Sequence, residues 1–440
     1  MTGAPARAER RSVEPPVPDD PALPGLAVAL DPAAALPMLS RAFAPLPITG
    51  CRADRVRYRR GARAVVQYSV RFEEASGPRD RWVTALVYPP ERAREVLKKL
   101  RTGSPSTPTG GIPTVKDDPE SKLVLQVFPF DRRLPSLGAL TDPEPLVSRL
   151  GGPAGEPGTW TAVPVRYRAG LACALRWRLD ARDGTGGTTW YVKAYRDEQG
   201  LRTGATLAAL SSRGTARKFT VPRPVGYLDD HRTLVQEESP GASLADVVAG
   251  SDDPGPVMER VADALVALQR EASADTRRGH ADLAVHVQRA ASLISWVRPD
   301  LGRTAAAVAA RAVDGLLEVD PLTAHGDLKP EHVLPGDAAV TFLDLDSVTR
   351  TDPVLDAGSM AARLHGLALL HPESASRIED AGRAFVDAYF ARVPSSWWPR
   401  FRLRHAGALL HEAAGCFRQQ RPRWPELMDA VVRRAAETLG

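Results

Sequence analysis

Asp327 and Asp344 are the two residues whose sequence surroundings most clearly indicate a catalytic function. Asp327 lies in the segment HGDLKPEHVL, after His325 and Gly326, and Asp344 follows the apolar run of FLDLDSV, 17 residues further on. Gly326 permits a tight backbone path that can present the next side chain. Carboxylate oxygen is the ligand that Mg²⁺ prefers. We predict that Asp327 is a catalytic acid, with His325 as a second catalytic candidate, and that Asp344 binds a metal ion.

Two further residues are candidate metal ligands. Asp346 lies two residues after Asp344, although an acid of a turn or a helix cap is the alternative interpretation. His332 offers an imidazole nitrogen, which suits softer ions better than Mg²⁺. If His332 is a ligand, Mn²⁺ should support activity at least as well as Mg²⁺, and activity should fall below about pH 6.5 as the ring is protonated. The alternative is that His332 only fills space behind its loop.

Lys193 is unexpected in its surroundings. It lies inside the apolar segment WYVKAY, in a chain with only seven lysines among 58 basic residues. A compact ammonium group suits phosphate oxygens, whereas the alternative is a lysine on the solvent face of an edge strand. Phosphoryl transfer needs metal ligands, a cation on the phosphates and an acid that orients the acceptor hydroxyl. Asp344, Lys193 and Asp327 together meet these needs.

An internal repeat precedes these residues. VRYRRGARAVVQYSVRF (56–72) is answered by VRYRAGLACALRWRL (165–179), and a collinear series of weaker matches follows at an offset close to 110 residues. Such a series indicates a duplicated β-rich unit. Each copy predicts an antiparallel hairpin, a helix and two more strands. The alignment places Leu86 opposite Lys193, so we predict that the first copy binds no nucleotide.

The chain therefore divides into four parts. Residues 1–24, rich in proline and charge, predict a disordered tail. Residues 25–150 form an N-terminal cap that is a degenerate small-lobe repeat, and residues 151–245 form the second β-rich unit. Residues 246–440 show helical periodicity and contain the acidic loops. The expected class is α+β.

Composition excludes several kinds of partner. The net charge is +5, but the arginines are scattered among acids, so no nucleic-acid partner is expected. Cys51, Cys173 and Cys416 are far apart, which argues against a disulfide framework or a zinc site. No apolar run is long enough to span a bilayer, and the N-terminus lacks the apolar segment of a signal peptide. We expect a cytoplasmic protein without membrane contact.

Residues from about 160 to 435 resemble the aminoglycoside phosphotransferase and choline kinase-like family, whose fold is similar to that of protein kinases. The resemblance rests on HGDL-x₅-L, the apolar run ending in Asp344, and DPVLDAGSMAARL (352–364). It implies a two-lobed fold in which Lys193 holds ATP phosphates and Asp344 binds Mg²⁺. It also implies an adenine-binding hinge at Gln236, Glu237 and Glu238, and a bracing role for Asp356 beneath the catalytic loop.

The chain departs from the family pattern at two important points. His332 stands where the family's loop carries an asparagine, and the helix after Lys193 has no evident glutamate partner for it. The function expected is an ATP- and Mg²⁺-dependent kinase acting on a hydroxyl of a small molecule, such as a sugar, an amino sugar or an antibiotic-like metabolite. From residue 357 onward there are 12 arginines and eight acids, which favours a neutral or anionic acceptor. The alternatives are a pseudokinase scaffold and a Ser/Thr kinase of a biosynthetic peptide.

Overall fold

The computed structural model describes residues 17–74, 77–104, 111–151, 158–181, 187–212, 218–271, 276–315 and 318–440. The first unit contains α1 (Leu26–Leu30), α2 (Pro32–Phe43), β1 (Ile48–Arg59), β2 (Arg63–Glu74), β3 (Gly77–Val87), α3 (Pro90–Gly103), β4 (Val115–Asp118), β5 (Leu123–Val127), α4 (Leu137–Leu140) and α5 (Glu144–Val147). The second unit contains β6 (Gly158–Arg168), β7 (Ala172–Ala181), β8 (Thr189–Tyr195), α6 (Gln199–Ser211), β9 (Phe219–Thr220), β10 (Pro224–Leu228) and β11 (Thr233–Glu237). The helical lobe contains α7 (Leu244–Gly250), α8 (Gly255–Gln269), α9 (His280–Val297), α10 (Gly302–Asp314), β12 (Leu322–Ala324), β13 (Val333–Pro335), β14 (Val340–Phe342), β15 (Thr349–Thr351), α11 (Val354–Leu370), α12 (Ala375–Phe390), α13 (Trp398–Arg418) and α14 (Trp424–Leu439).

The two β-rich units have the same sheet topology. Sheet 1 has the order β1-β2-β3-β5-β4, and sheet 2 has the order β6-β7-β8-β11-β10. In sheet 1, Leu86 pairs with a residue of β2 and a residue of β5; in sheet 2, Lys193 pairs with a residue of β7 and a residue of β11. The register therefore places Leu86 at the position that Lys193 occupies in sheet 2. The α+β, two-lobed fold is confirmed, while the origin of the first unit by duplication stays a prediction.

Sheet 1 is buried on both faces, which explains its long apolar strands. Successive side chains of a strand point to opposite faces. Val66 and Tyr68 of β2 lie in one core with α1, α2 and the helical-lobe helices α9, α10, α13 and α14. Val65, Leu86 and Val124 face the other way and share a second core with sheet 2.

The two sheets pack front to back. Val192 and Ala194 of β8 belong to the core shared with sheet 1, so Lys193 between them points to the opposite side, towards the helical lobe. The face of sheet 1 that carries Leu86 is thus covered by the back of sheet 2. Residues 25–150 are therefore a sequence unit that contributes to the cores of both lobes, and not a separately packed cap.

One hydrogen-bonding pattern occurs in both units. Asp20 accepts hydrogen bonds from the Tyr58 hydroxyl (2.9 Å) and from the backbone N–H of Gly61 (2.7 Å). Asp131 accepts the same two kinds of bond, from the Tyr167 hydroxyl (2.7 Å) and the N–H at the tip of the β6–β7 hairpin (2.5 Å). Each aspartate therefore fixes the first hairpin of one unit.

The predicted tail is too long, because residues 17–24 belong to the fold. Asp20 is 8% exposed and Leu23 only 1% exposed. The remaining part of the predicted tail, residues 1–16, lies outside the described residues. The helices expected after the third strand of each unit are confirmed as α3 and α6.

A buried ion pair joins two long helices of the large lobe. Asp352 lies just before α11, where its carboxylate accepts the N–H of Val354 at 3.1 Å. Its other oxygen accepts two bonds from the Arg404 guanidinium of α13, at 2.8 and 2.7 Å, and Arg400 lies 3.4 Å away. The side chains of Asp352 and Arg404 are 2% and 6% exposed.

Among the described helices, none has both the length and the hydropathy needed to span a bilayer.

Replacing Asp352 by alanine should strongly destabilise the protein. The substitution leaves two arginines without their buried carboxylate, and breaking a buried pair in this way costs roughly 3–5 kcal/mol. Chemical denaturation followed by circular dichroism would measure the change in midpoint. The control is Asp429→Ala, which removes an exposed i,i+4 pair with Arg433 and should cost about 1 kcal/mol or less. Equal midpoint shifts in the two variants would contradict this role of Asp352.

Candidate active site

Lys193 connects the small lobe to the acidic loop of the large lobe. Its Nζ lies 2.5 Å from Oδ1 of Asp344 and 3.4 Å from Oδ1 of Asp346. The Lys193 side chain is 16% exposed, so it does not lie on the solvent face of an edge strand, as the alternative interpretation required. Tyr195, two residues along β8, donates its hydroxyl to Asp346 at 2.8 Å. The missing helix glutamate is thus replaced by acids of the metal loop.

The catalytic loop is held by a buried acid. Asp356, fully buried in the first turn of α11, accepts the backbone N–H groups of His325 (2.6 Å) and Gly326 (2.9 Å). Gly326 has φ +76°, and a Cβ atom there would lie 2.2 Å from the carbonyl oxygen of Ser347. Only glycine fits this close approach. The bracing role expected for Asp356 is confirmed by these contacts.

The His325 side chain is buried behind the loop and bonded at both ring nitrogens. It is 0% exposed. Its Nε2 bonds to the carbonyl oxygen of Leu343 at 2.8 Å, and the N–H of Asp327 donates to its Nδ1 at 3.4 Å. Both ring nitrogens are therefore used and shielded from any ligand. The catalytic role of His325 stays a prediction, and these contacts favour a positioning role instead.

Asp327, His332 and Asp344 form one group of potential metal ligands. Their ligand atoms all lie within 4.8 Å of one another. His332 Nδ1 lies 3.1 Å from the carbonyl oxygen of Asp327; because a carbonyl only accepts, Nδ1 must carry the proton. The neutral ring then directs the Nε2 lone pair at Oδ2 of Asp344, 3.2 Å away. Two facing lone pairs repel each other unless a proton or a metal ion lies between them, and the nitrogen and oxygen donors of this group fit a divalent metal.

The other predicted ligand, Asp346, lies outside this group. Its carboxylate is bound by Lys193 and Tyr195, and its backbone carbonyl accepts a bond from the Gln199 side chain of α6 at 2.8 Å. Its role as a metal ligand stays a prediction.

The backbone of Asp344 has φ +57°. This conformation is uncommon for a non-glycine residue, and such residues cluster at functional sites.

The charges of the site follow from burial and from ion pairing. Burial raises the pKa of Asp344, but Lys193 and His332 outweigh it and hold this pKa well below its usual range. Burial raises the pKa of Asp346, which lies further from the ammonium group. Burial lowers the pKa of Lys193, yet the two carboxylates outweigh it and the net shift is upward. Asp344 and Lys193 are therefore a charged pair at neutral pH.

The predicted hinge needs one adjustment. The N–H of Glu237 donates to the Arg223 carbonyl at 2.9 Å, and the N–H of Glu238 donates to the Thr189 carbonyl at 3.1 Å. Both donors are thus used within the protein, and the Glu237 carboxylate is paired with Arg223. Gln236 is buried in β11 at 7% exposure. Glu237 and Glu238 can offer only carbonyl oxygens to a base.

Sequence reasoning missed several residues of this site. Tyr195 and Gln199 support Asp346, and Lys329 lies 3.5 Å from the Asp327 carboxylate. Of these three residues, only Lys329 had a signal in the sequence, because it lies two residues after Asp327 and lysine is rare in this chain.

The sequence also contained a signal for Asp20 and Asp131, which anchor the two hairpins. Aligning DPALPGL with DRRLPSL would have identified both aspartates.

The chain is similar to several solved structures at low sequence identity. Solved structures that match include a choline/ethanolamine kinase family protein from Mesorhizobium loti, with 14% identity over 67% of this chain and 94% of that chain, at a TM-score of 0.44. Aminoglycoside phosphotransferase APH(3'')-Id from Streptomyces rimosus matches at 17% identity over 60% and 96% of the two chains, with a TM-score of 0.39. Aminoglycoside phosphotransferase APH(4)-Ia, in a ternary complex with ADP and hygromycin B, matches at 12% identity over 67% and 97%, with a TM-score of 0.47. Similarities this weak do not indicate what this chain binds. A search of curated proteins gave no match.

A family comparison shows that this chain is an enzyme that transfers phosphate. A sequence model of the phosphotransferase enzyme family matches residues 174–393, half of the chain. The chain belongs to this family. The match begins within sheet 2 and ends after α12, so the first unit lies outside it.

Burial changes the expectation for His332. It lowers the pKa of the ring to about 3, so the imidazole is neutral across the range in which most enzymes work. The lowered pKa does not favour a loss of activity below about pH 6.5 through this histidine, and that pH dependence stays a prediction. A lowered histidine pKa has its effect on stability, because the unfolded chain takes up a proton below about pH 6.5 and the folded chain does not.

His332→Asn should therefore change metal preference without changing the pH profile. The amide oxygen is a harder ligand than imidazole nitrogen, so the ratio of Mn²⁺-supported to Mg²⁺-supported activity should fall. The pH–rate curves of wild type and variant should superimpose between about pH 5 and 8. His371→Asn, which replaces an exposed histidine, is the control and should alter neither quantity. An acid limb that weakens only in His332→Asn would contradict the neutral assignment.

Proposed function

We propose that this protein is an ATP- and Mg²⁺-dependent phosphotransferase that acts on a hydroxyl group of a small molecule, such as a sugar, an amino sugar or an antibiotic-like metabolite. The observation that carries the proposal is the convergence of Lys193, Asp344, His332 and Asp327 on one cleft. These residues supply the phosphate cation, the metal ligands and the acceptor-orienting acid that phosphoryl transfer requires.

The nucleotide end of the cleft is formed by sheet 2. Lys193 is the phosphate-binding cation, and the carbonyl oxygens of Glu237 and Glu238 accept the exocyclic amino group of adenine. Ser239, the next residue of the segment, supplies the backbone N–H, because the two donors before it are already used. Arg166 of β6 lies 4.0 Å from Asp344 and adds positive charge on the same side.

Asp344 and His332 would hold the metal ion, together with Asp327. When bound, a divalent ion neutralises the charge that develops on the transferred phosphoryl group. Lys193 is bonded to the same Asp344 carboxylate. A metal ion at Asp344 therefore competes with Lys193 for it, which frees the ammonium group for phosphate oxygens.

Asp327 orients the acceptor hydroxyl. Burial raises the pKa of Asp327, but Lys329, His332 and Arg363 outweigh it and lower the pKa below its usual value. The group is therefore a carboxylate at neutral pH, able to accept a hydrogen bond from a hydroxyl. Its side chain is 42% exposed, so an acceptor can reach it. A scaffold without activity would not need this set of aligned charges, and the geometry favours an active enzyme.

The surroundings of Asp327 favour a neutral or anionic acceptor over a polycationic one. Lys329 is 3.5 Å from the carboxylate, and the electrostatic partners of Asp327 include Arg363 and Arg168. Glu412, an acid of the neighbouring α13, is 2% exposed and is paired with Arg363 and Arg421. It is thus not available to an ammonium group, and a sugar-like or anionic substrate fits this wall better.

Asp327→Ala should abolish most turnover. Loss of a positioned catalytic acid or base costs roughly 10²–10⁴-fold, whereas Mg-ATP affinity should change little because the acceptor side is affected. The measurement is ADP release against a panel of sugars, amino sugars and other hydroxyl-bearing metabolites. Asp337→Ala replaces an exposed acid of the following turn and should keep full turnover. Wild-type turnover in Asp327→Ala on an identified substrate would show that the role is wrongly assigned.

Lys193→Met should weaken Mg-ATP binding by about tenfold or more, as expected for loss of one charged hydrogen bond. The matched control is Leu86→Met, which places the same residue at the equivalent position of sheet 1. That variant should bind Mg-ATP as tightly as wild type, because sheet 1 is predicted to bind no nucleotide. Calorimetric titration of both full-length variants with Mg-ATP tests the assignment. Equal affinities in Lys193→Met and wild type would contradict it.

A further inference from the structure

A small cavity lies between sheet 1 and the tip of the β6–β7 hairpin of sheet 2. Its volume is about 130 Å³, and its walls include Val65, Leu86 and Gln126 of sheet 1 and Ala169–Gly170 of the hairpin. Leu86 occupies the register position of Lys193, so this cavity lies on the face of sheet 1 that corresponds to the Lys193 face of sheet 2. The packing of sheet 2 against sheet 1 occupies the rest of that face.

Positive charge dominates the lining of this cavity. Asp131 is the one carboxylate that lines it, and its oxygens are already bonded to Tyr167 and to the N–H of Gly170. In the part of the chain that the structure describes, only Arg92 among the lining cations is paired with a carboxylate, that of Glu95 on its own helix. The lining cations are Arg57, Arg63, Arg92, Lys99, Arg132 and Arg133.

Arg57 links the cavity to the hairpin of the catalytic small lobe. Its guanidinium donates to the carbonyl oxygen of Ala169. Burial and the charges of Arg63 and Arg168 lower its pKa to about 10, although the Asp131 carboxylate acts in the opposite direction. Arg133 lies against Gly170, since a Cβ atom added there would be 3.1 Å from its Cδ. An anion in the cavity would thus contact both units.

The size of the cavity decides which anion fits. A water molecule takes about 30 Å³ of liquid volume, so the space corresponds to a few waters. Pockets for nucleotide-sized ligands start at roughly 300 Å³. A phosphate group fits, whereas a whole nucleotide does not. Arginine forks also match phosphate oxygens bidentately.

We propose that this cavity is a second anion-binding site, which takes a phosphate group either as free inorganic phosphate or as the phosphate of a small phosphorylated metabolite. Arg63 and Arg133 are its principal ligands. The site is separate from the nucleotide cleft and does not depend on the proposed function. Its ligand bridges sheet 1 and the β6–β7 hairpin.

The experiment is calorimetric titration of the full-length protein with inorganic phosphate, in a buffer free of other phosphate and at constant ionic strength. Wild type should bind one equivalent saturably. Arg63→Glu and Arg133→Glu should each weaken binding by about tenfold or more. Arg79→Glu replaces an exposed arginine of β3 outside the cavity and should bind as wild type does. Lys193→Met should also bind as wild type does, because the nucleotide cleft is not involved.

Titrations with glucose 6-phosphate and glucose distinguish the two sources of phosphate. If glucose 6-phosphate binds more tightly than inorganic phosphate, the ligand of the site is a phosphorylated metabolite. If inorganic phosphate binds more tightly, the ligand is free phosphate. Glucose alone should give no heat of binding. Circular dichroism confirms that each variant is folded. The proposal is overturned if neither phosphate compound binds saturably. It is also overturned if Lys193→Met abolishes binding while Arg63→Glu and Arg133→Glu retain it.

Discussion

The ion pair between Lys193 and Asp344 is the interaction on which the site depends. It joins a strand of the small lobe to the metal loop of the large lobe across 2.5 Å, and it sets the charge state of both groups. Asp344 also faces the Nε2 lone pair of His332, so one carboxylate serves a lysine and a metal position together. If Asp344 binds a metal ion as we propose, that ion would compete with Lys193 for the same carboxylate.

The supports of this pair come from elements distant in sequence. Asp356 of α11 holds the backbone of the catalytic loop, and Asp352 ties the start of the same helix to α13. On the other side, Tyr195 holds Asp346. Buried polar groups of this kind must be bonded, because each unpaired one costs free energy. The result is a loop whose acids have few alternative positions.

The first unit shows how packing decides the use of a sheet. Both sheets have one strand order and one register, but the face that carries Lys193 in sheet 2 is open to a ligand. The corresponding face of sheet 1 is covered by sheet 2 and contains Leu86. A lysine buried there without a partner would be costly. The leucine is therefore a consequence of the stacking, and the remaining space is rimmed by arginines on the surface.

Sequence patterns predicted the candidate site well where chemistry requires particular residue types in short segments. Asp327 and Asp344 lie where their motifs placed them, and the alternation of apolar residues around Lys193 indicated its strand. The burial and the hydrogen-bond partners of His325 and His332 were not predicted. The reason is common to both: a histidine's behaviour depends on burial and on the partners of each ring nitrogen, and neither property is local in sequence.

The sequence by itself determined the two β-rich units, the helical lobe and the three residues to which we assign phosphoryl transfer. These features depend on the periodicity of apolar residues and on motifs of a few residues. Only the tertiary structure decided that sheet 2 covers sheet 1, that Asp346 turns to Tyr195, and that Arg57 reaches Ala169 across the two units. The Tyr195–Asp346 and Arg57–Ala169 contacts each join residues more than 100 positions apart. Such pairings are set by how whole faces pack, which no local pattern records.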